Sequence, residues 1–125
     1  MIRSTPETWN YSLFAGQTMD VTWTVTSDAA GTVPVSLVGC TGTASCRTSY
    51  TAGSAIMAFG TAELILGGTA GTLRFKQSAA TTAALGASLS YLQTQLVFDC
   101  EITEASGDVS RVLQGVWTVY PEATR

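Results

Sequence analysis

The chain has 125 residues, of which 46% are hydrophobic and only 12% are charged, with a formal net charge of −3 and no histidine. This length is typical of one domain, which can bury a core without a metal or a disulfide to hold it together. The lack of histidine excludes Ser-His-Asp and Cys-His catalysis, histidine-ligated metals and a histidine pH switch. The low charge fits a β domain whose surface is partly covered in an assembly, because interface cores are depleted of charged residues.

The six basic residues are scattered along the chain, as Arg3, Arg47, Arg74, Lys76, Arg111 and Arg125. Nucleic-acid binding relies on clustered basic residues, so we expect no nucleic-acid partner. No apolar run approaches the ~20 residues of a membrane helix, and no apolar signal segment follows Met1. We therefore expect no membrane partner and synthesis in a cytoplasm.

Three cysteines, Cys40, Cys46 and Cys100, are too few to hold a structural zinc ion in a chain without histidine. An odd number of cysteines in a cytoplasmic protein favours free thiols. The sequence thus predicts neither a metal nor another cofactor.

Alternation of apolar and polar residues predicts strands in the first half of the chain. It is clearest from Thr18 to Thr26, where Met19, Val21, Trp23 and Val25 share one face. Weaker alternation predicts strands near Trp9–Leu13, at Val33–Leu37 after a turn at Ser27–Gly31, and at Thr43–Arg47.

A glycine-rich loop and a short helix are predicted in the middle of the chain. Leu64–Leu66 and Leu73–Phe75 alternate on either side of Gly67–Gly71, which indicates a hairpin. Ser78 is a suitable N-cap for a helix of about two turns over Ala79–Leu85, which Gly86 would end.

The last two predicted strands are the longest and form a hairpin around the turn at Ala105–Asp108. Gln95–Thr103 places Leu96, Phe98, Cys100 and Ile102 on one face. Val112–Tyr120 does the same with Leu113, Gly115, Trp117 and Val119.

Together these elements predict an all-β domain, an antiparallel, immunoglobulin-like β-sandwich of about eight strands with one short helix. Residues 1–125 form one domain, with short arms at residues 1–7 and 121–125. Because the arms have few core-type residues, we expect the sandwich not to need them and the arms to reach a neighbouring subunit.

Two sets of residues could indicate a catalytic or phosphate site. Asp99 and Glu101 share a strand face, as paired glycosidase carboxylates would, but that face is the wetter one, so a solvated surface is the simpler interpretation. The Gly67–Gly71 loop lacks the Lys-Ser or Lys-Thr and the helix that follow a phosphate-binding loop, so a hairpin is favoured. We therefore predict no catalytic, cofactor-binding or metal-binding residues.

Cysteine and tryptophan residues have similar alternative interpretations. Cys46 and Cys100 fall on inward faces and lack a histidine to stabilise a thiolate, which favours small buried hydrophobes over nucleophiles. A sugar-stacking platform could be formed by Trp9, Trp23 and Trp117. They lie on the apolar faces of their predicted strands, however, which favours a position in the core. Cys40 lies in a Gly39–Gly42 loop and should be the most reactive thiol.

The order of segments resembles a family of small phage virion proteins, namely the N-terminal domains of baseplate upper proteins and short stand-alone tail or neck proteins. Phe98–Glu101 stands where the family usually has Tyr-Asp-Leu-Glu, and Val119–Arg125 is similar to its Val-x-Pro-Glu-Val-Thr-Arg ending. Ser36 and Cys100 depart from the usual Asp and Leu. The other similar stretches are Trp9–Thr18, Thr22–Val25, Pro34–Arg47, Gly68–Phe75, Ser78–Leu85 and Gly107–Gly115.

The resemblance implies a non-enzymatic structural component of a bacteriophage tail, baseplate or neck, assembled in the bacterial host cytoplasm and present in the virion. Its partners would be other virion proteins and copies of itself in a symmetric oligomer. Two alternatives are a capsid decoration protein and a glycan-binding module; the missing signal segment and the inward tryptophans disfavour the latter.

Overall fold

The computed structural model describes residues 2, 5–28 and 31–125. The predicted all-β sandwich is confirmed, and the described residues include one α-helix. In chain order the elements are β1 (Glu7–Thr8), β2 (Tyr11–Phe14), β3 (Met19–Thr24), β4 (Thr41–Arg47), β5 (Met57–Phe59), β6 (Leu64–Leu66), β7 (Thr72–Gln77), α1 (Ala79–Ser88), β8 (Thr94–Thr103) and β9 (Val109–Tyr120).

The strands form two sheets that pack face to face. The large sheet has the order β1-β9-β8-β4-β5, with β2 also paired to β9, and the small sheet has the order β3-β7-β6. Most pairs are antiparallel, as predicted, but β1 and β2 run parallel to β9. Alternation of side chains has period two in both kinds of strand, so it carries no information about direction.

Between β1 and β2, which pair with β9 in the same register, the chain approaches β9 very closely. The Trp9 amide donates to the Gln114 carbonyl at 2.8 Å, and the Asn10 side-chain oxygen accepts from the Val116 amide at 2.9 Å. A Cβ at Gly115 would lie only 2.0 Å from the Trp9 carbonyl oxygen. This close approach needs glycine at position 115, and the Trp9 ring packs in the interior.

An aromatic cluster fills the space between the sheets. The Trp9 ring lies 5.1 Å from Phe75 of the small sheet and 4.8 Å from Trp117 of the large sheet, measured between ring centroids. Trp117 stacks on Phe98 at 4.2 Å. Edge-on and offset arrangements of this kind add to the energy of burial, so this cluster joins the two sheets.

The inward face of β9 differs in one place from the prediction. Both Val112 and Leu113 are buried, although they are adjacent in sequence. The register shifts between Cys100 and Glu101, which leaves one extra residue on β9 opposite β8. Such a β-bulge rotates the strand locally, so two consecutive side chains can face the core.

Two other strand predictions are corrected. Val33–Leu37 forms no regular strand and makes only an isolated bridge between Thr26 and Pro34, because proline has no amide hydrogen to extend a ladder. The strand β5 was not predicted, since three residues show too little alternation. In the turn before Val33–Leu37, Asp28 accepts hydrogen bonds from two following amides, whereas Ala29 and Ala30 lie outside the described residues.

The helix begins as predicted but ends later. The Ser78 hydroxyl accepts from the Thr81 amide at 3.1 Å, which confirms the N-cap. The helix then continues past Gly86 to Ser88, because Gly86 provides a close approach and not a helix end. A Cβ there would lie 2.9 Å from the Cβ of Ala15, in the turn between β2 and β3.

Described residues near both ends of the chain contact the rest of the domain. Ile2 is only 5% exposed and belongs to the core, and Glu7 begins the pairing with β9. Met1, Arg3 and Ser4 lie outside the described residues, so the arm at residues 1–7 stays a prediction. At the other end, the Arg125 guanidinium lies 3.7 Å from the Tyr91 ring centroid.

The close approach of the Trp9 backbone to Gly115 predicts the effect of a substitution on stability. Gly115→Ala should lower the free energy of unfolding by about 1–3 kcal/mol or more, because the new Cβ meets rigid backbone. The matched control is Gly53→Ala, where a Cβ would meet nothing within 4 Å, and it should stay within about 0.5 kcal/mol. Urea unfolding of both variants would measure the difference, and equal midpoints would contradict the close approach of Trp9 to Gly115.

Candidate functional site

An open groove of about 520 Å³ lies on the outer face of the large sheet. It is bordered by β4, β5 and β8, and its lining includes Phe59, whose ring also contacts Phe75 and Phe98 of the aromatic cluster. Its lining is mixed, with hydroxyl, charged and small apolar side chains. The polar members are Thr43, Ser45, Arg47, Asp99 and Glu101.

Asp99 and Glu101 point to the same outer face, as predicted, and both are half-exposed. Arg111 of β9 lies beside them, with its Nη2 atom 3.6 Å from Asp99 Oδ2. A carboxyl pair that acts as general acid and base needs a site sheltered from water, and this groove is open to solvent. The arrangement suits hydrogen bonding and ion pairing with a partner better than acid-base chemistry.

The glycine-rich segment is a hairpin loop, as predicted, between β6 and β7. A short 3-10 turn over Gly68–Ala70 ends at Gly71, which has a positive φ of 72°. The Gly71 carbonyl accepts from the Val25 amide at 2.8 Å. Because β7 follows at once, no helix N-terminus stands behind the loop to bind a phosphate.

The cysteines occupy the positions predicted for them, and all three are free. Cys46 and Cys100 are fully buried on the inward faces of β4 and β8, whereas Cys40 is half-buried. Burial, with a smaller effect of the nearby Asp99 carboxylate, raises the pKa of Cys100 to about 12 and that of Cys46 still further. Neither thiol can supply a thiolate near neutral pH.

The tryptophans do not form a sugar-binding platform. Trp9 and Trp117 are buried in the core, and Trp23 is half-buried against it. Two further classes of site are absent from the described part of the chain. No cluster of three or more His, Cys, Asp or Glu could hold a metal ion there, and no described helix is long and apolar enough to cross a membrane.

An apolar strip on the outer face of the large sheet was missed by the sequence reasoning. Phe14, 49% exposed, stacks on Tyr120 with ring centroids 5.1 Å apart. Farther along the sheet, Val116 lies opposite Val97. We call these four residues the apolar strip. The outward residues of β8 and β9 include these valines and Tyr120, but alternation predicts only that this face is the wetter one.

No protein-family model, no curated protein and no solved structure matches this chain.

The cysteine environments predict a graded reaction with a thiol reagent. In the native protein at neutral pH, Cys40 should be alkylated first, because Cys46 and Cys100 are buried and protonated. Mass spectrometry of a timed digest would locate the label, and unfolding in urea should make all three sites reactive. Labelling of native Cys100 at the rate of Cys40 would contradict the buried placement.

Proposed function

We propose that this protein is a non-enzymatic structural component of a bacteriophage virion, in the tail, baseplate or neck. The observation that carries the proposal is the apolar strip next to a groove lined by charged and hydroxyl side chains on one sheet face. Interfaces combine such an apolar, aromatic centre with a polar rim. The phage virion is proposed because segments such as Phe98–Glu101 and Val119–Arg125 resemble phage virion proteins.

The chemistry of the surface supports assembly more than turnover. The groove beside Asp99 and Glu101 is open to solvent, and the Cys46 and Cys100 thiols are buried. The inward packing of Trp9 and Trp117 disfavours a glycan-binding module, since sugar stacking needs exposed aromatic faces. A decoration protein on the capsid would use the same kind of surface, so its position in the particle has to be measured.

A direct test is to search for the chain in purified phage particles from infected cells that express its gene. We expect its peptides in the particles by mass spectrometry, and immunogold label on the tail, baseplate or neck. Label over the capsid shell would instead favour the decoration protein. Absence of the chain from washed, infectious particles would contradict a virion role.

The apolar strip can be tested with one valine and one isoleucine of similar exposure. Val116→Lys places a charge in the strip, and Ile65→Lys places one on the outer face of the small sheet; the native side chains are 41% and 40% exposed. Val116→Lys should reduce incorporation into particles, because the charge must be desolvated at the contact, while Ile65→Lys should not. Melting curves confirm that both variants fold. Equal incorporation would show that the strip is not the contact.

A further inference from the structure

The strand β3 leaves one side of the small sheet open. It pairs with β7 along Met19–Thr24 in a regular register, and no other described strand pairs with its opposite edge. The small sheet therefore ends at a strand of six residues whose outer edge is available.

The hydrogen-bonding groups on this edge follow from the register. The Val25 amide donates to the Gly71 carbonyl, which continues the β3–β7 ladder by one pair. Because directly bonded pairs alternate in an antiparallel ladder, the odd-numbered residues of β3 bond to β7. The amide of Lys76, an even-numbered residue of β7, donates to the Glu63 carbonyl beside β6. The even-numbered residues of β7 therefore face β6, and the odd-numbered ones face β3. The amides and carbonyls of Asp20, Thr22 and Thr24 thus point to the open edge.

This edge lacks the features that protect sheet edges from pairing. Proteins use lysine, proline, bulges or very short strands there. The sequence of β3 has neither lysine nor proline, and its ladder has no bulge. By comparison, the strands at the other ends of the two sheet orders, β5, β6 and β1, have only two or three residues.

The side chains beside the edge are incompletely covered. Val21 and Trp23 point inward from β3 but remain half-buried, whereas Leu73 and Phe75, opposite them on β7, are fully buried. Tyr11 of β2 also packs against the core while half-buried. An additional strand next to β3 would cover the two β3 side chains.

We propose that β3 pairs edge to edge with β3 of a second copy, in antiparallel orientation about a two-fold axis at Thr22. The two three-stranded small sheets would then form one continuous six-stranded sheet. Pairing of this type is isologous, so it closes at a dimer and does not extend into a fibre.

The sequence of β3 is complementary to itself in this register. On the outer face, Thr22 meets Thr22 of the second copy, and Asp20 meets the other copy's Thr24. Hydroxyl pairs of this kind are favourable across strands, and no like charges oppose each other. The Asp20 carboxylate is already paired within its own chain, 2.6 Å from Arg74. On the inner face, Val21 lies opposite Trp23 of the second copy, so the half-buried side chains cover each other.

The β3 dimer adds a self-assembly surface to the proposed virion role, and it rests on that role only for where the dimer would be used. It uses the β3 edge, which differs from the apolar strip assigned to other virion proteins. The test uses the pure protein in solution, so its failure is distinguishable from absence of the chain in phage particles.

The test is sedimentation equilibrium of the wild type and two edge variants. The wild type should form a dimer as its concentration rises. Thr22→Pro removes an amide that faces the open edge and leaves the bonds to β7 intact. Thr22→Lys opposes two like charges across the axis. Each should raise the dimer dissociation constant by about ten- to a hundredfold or more, because the two-fold axis repeats every lost contact.

Thr118→Lys is the matched control, because Thr118 is on the outer face of β9 and far from the β3 edge in the sheet order; its dimer should match the wild type. Should Thr22→Pro fail to fold by circular dichroism, Thr22→Lys decides. Hydrogen exchange gives a second readout, in which the Thr22 and Thr24 amides are protected only in the dimer. A wild type that stays monomeric, a dimer that survives both Thr22 variants, or an equal loss with Thr118→Lys overturns the proposal.

Discussion

The packing of Trp9 between the two sheets is the contact on which the rest of the structure depends. Its ring touches Phe75 and Trp23 of the small sheet as well as Phe98 and Trp117 of the large sheet. The backbone of the same residue bonds to β9, where glycine at position 115 permits the close approach. One residue thus fixes both the spacing of the sheets and the position of β2 on the edge of β9. The buried Trp117 Nε1 has no hydrogen-bond partner among the described residues, so the aromatic packing also offsets the cost of that donor.

Much of this core could be predicted from the sequence, because side-chain alternation directly reports which residues share a face. The inward sets of β3 and β8 were predicted correctly, as were the Ser78 cap and the Gly67–Gly71 hairpin. The features that were missed depend on tertiary partners. The parallel direction of β2, the bulge at Val112 and the packing role of Gly86 each require knowledge of the element on the other side of the contact.

In the candidate site, too, some features follow from the sequence and others depend on tertiary partners. Asp99 and Glu101 were placed on one face by their spacing alone, and the structure confirms it. The groove around them could not be foreseen, because it also needs β4 and the unpredicted β5. Likewise, the apolar strip joins Phe14 to Tyr120 through a parallel pairing that alternation does not encode. The open β3 edge emerges only when the sheet order is known. The surface properties that favour an assembly role are therefore tertiary, while the sequence mainly excludes the common catalytic chemistries.

The central claim is that Trp9 joins the sheets, and the free energy of unfolding of Trp9→Ala tests it most directly. Replacing a large buried aromatic side chain by alanine costs about 3–5 kcal/mol, and we predict a loss in this range from denaturant unfolding followed by circular dichroism. Trp23→Ala, which removes a half-buried ring of the same size, should cost clearly less. A loss below about 1 kcal/mol for Trp9→Ala, or one no larger than that of Trp23→Ala, would contradict the account.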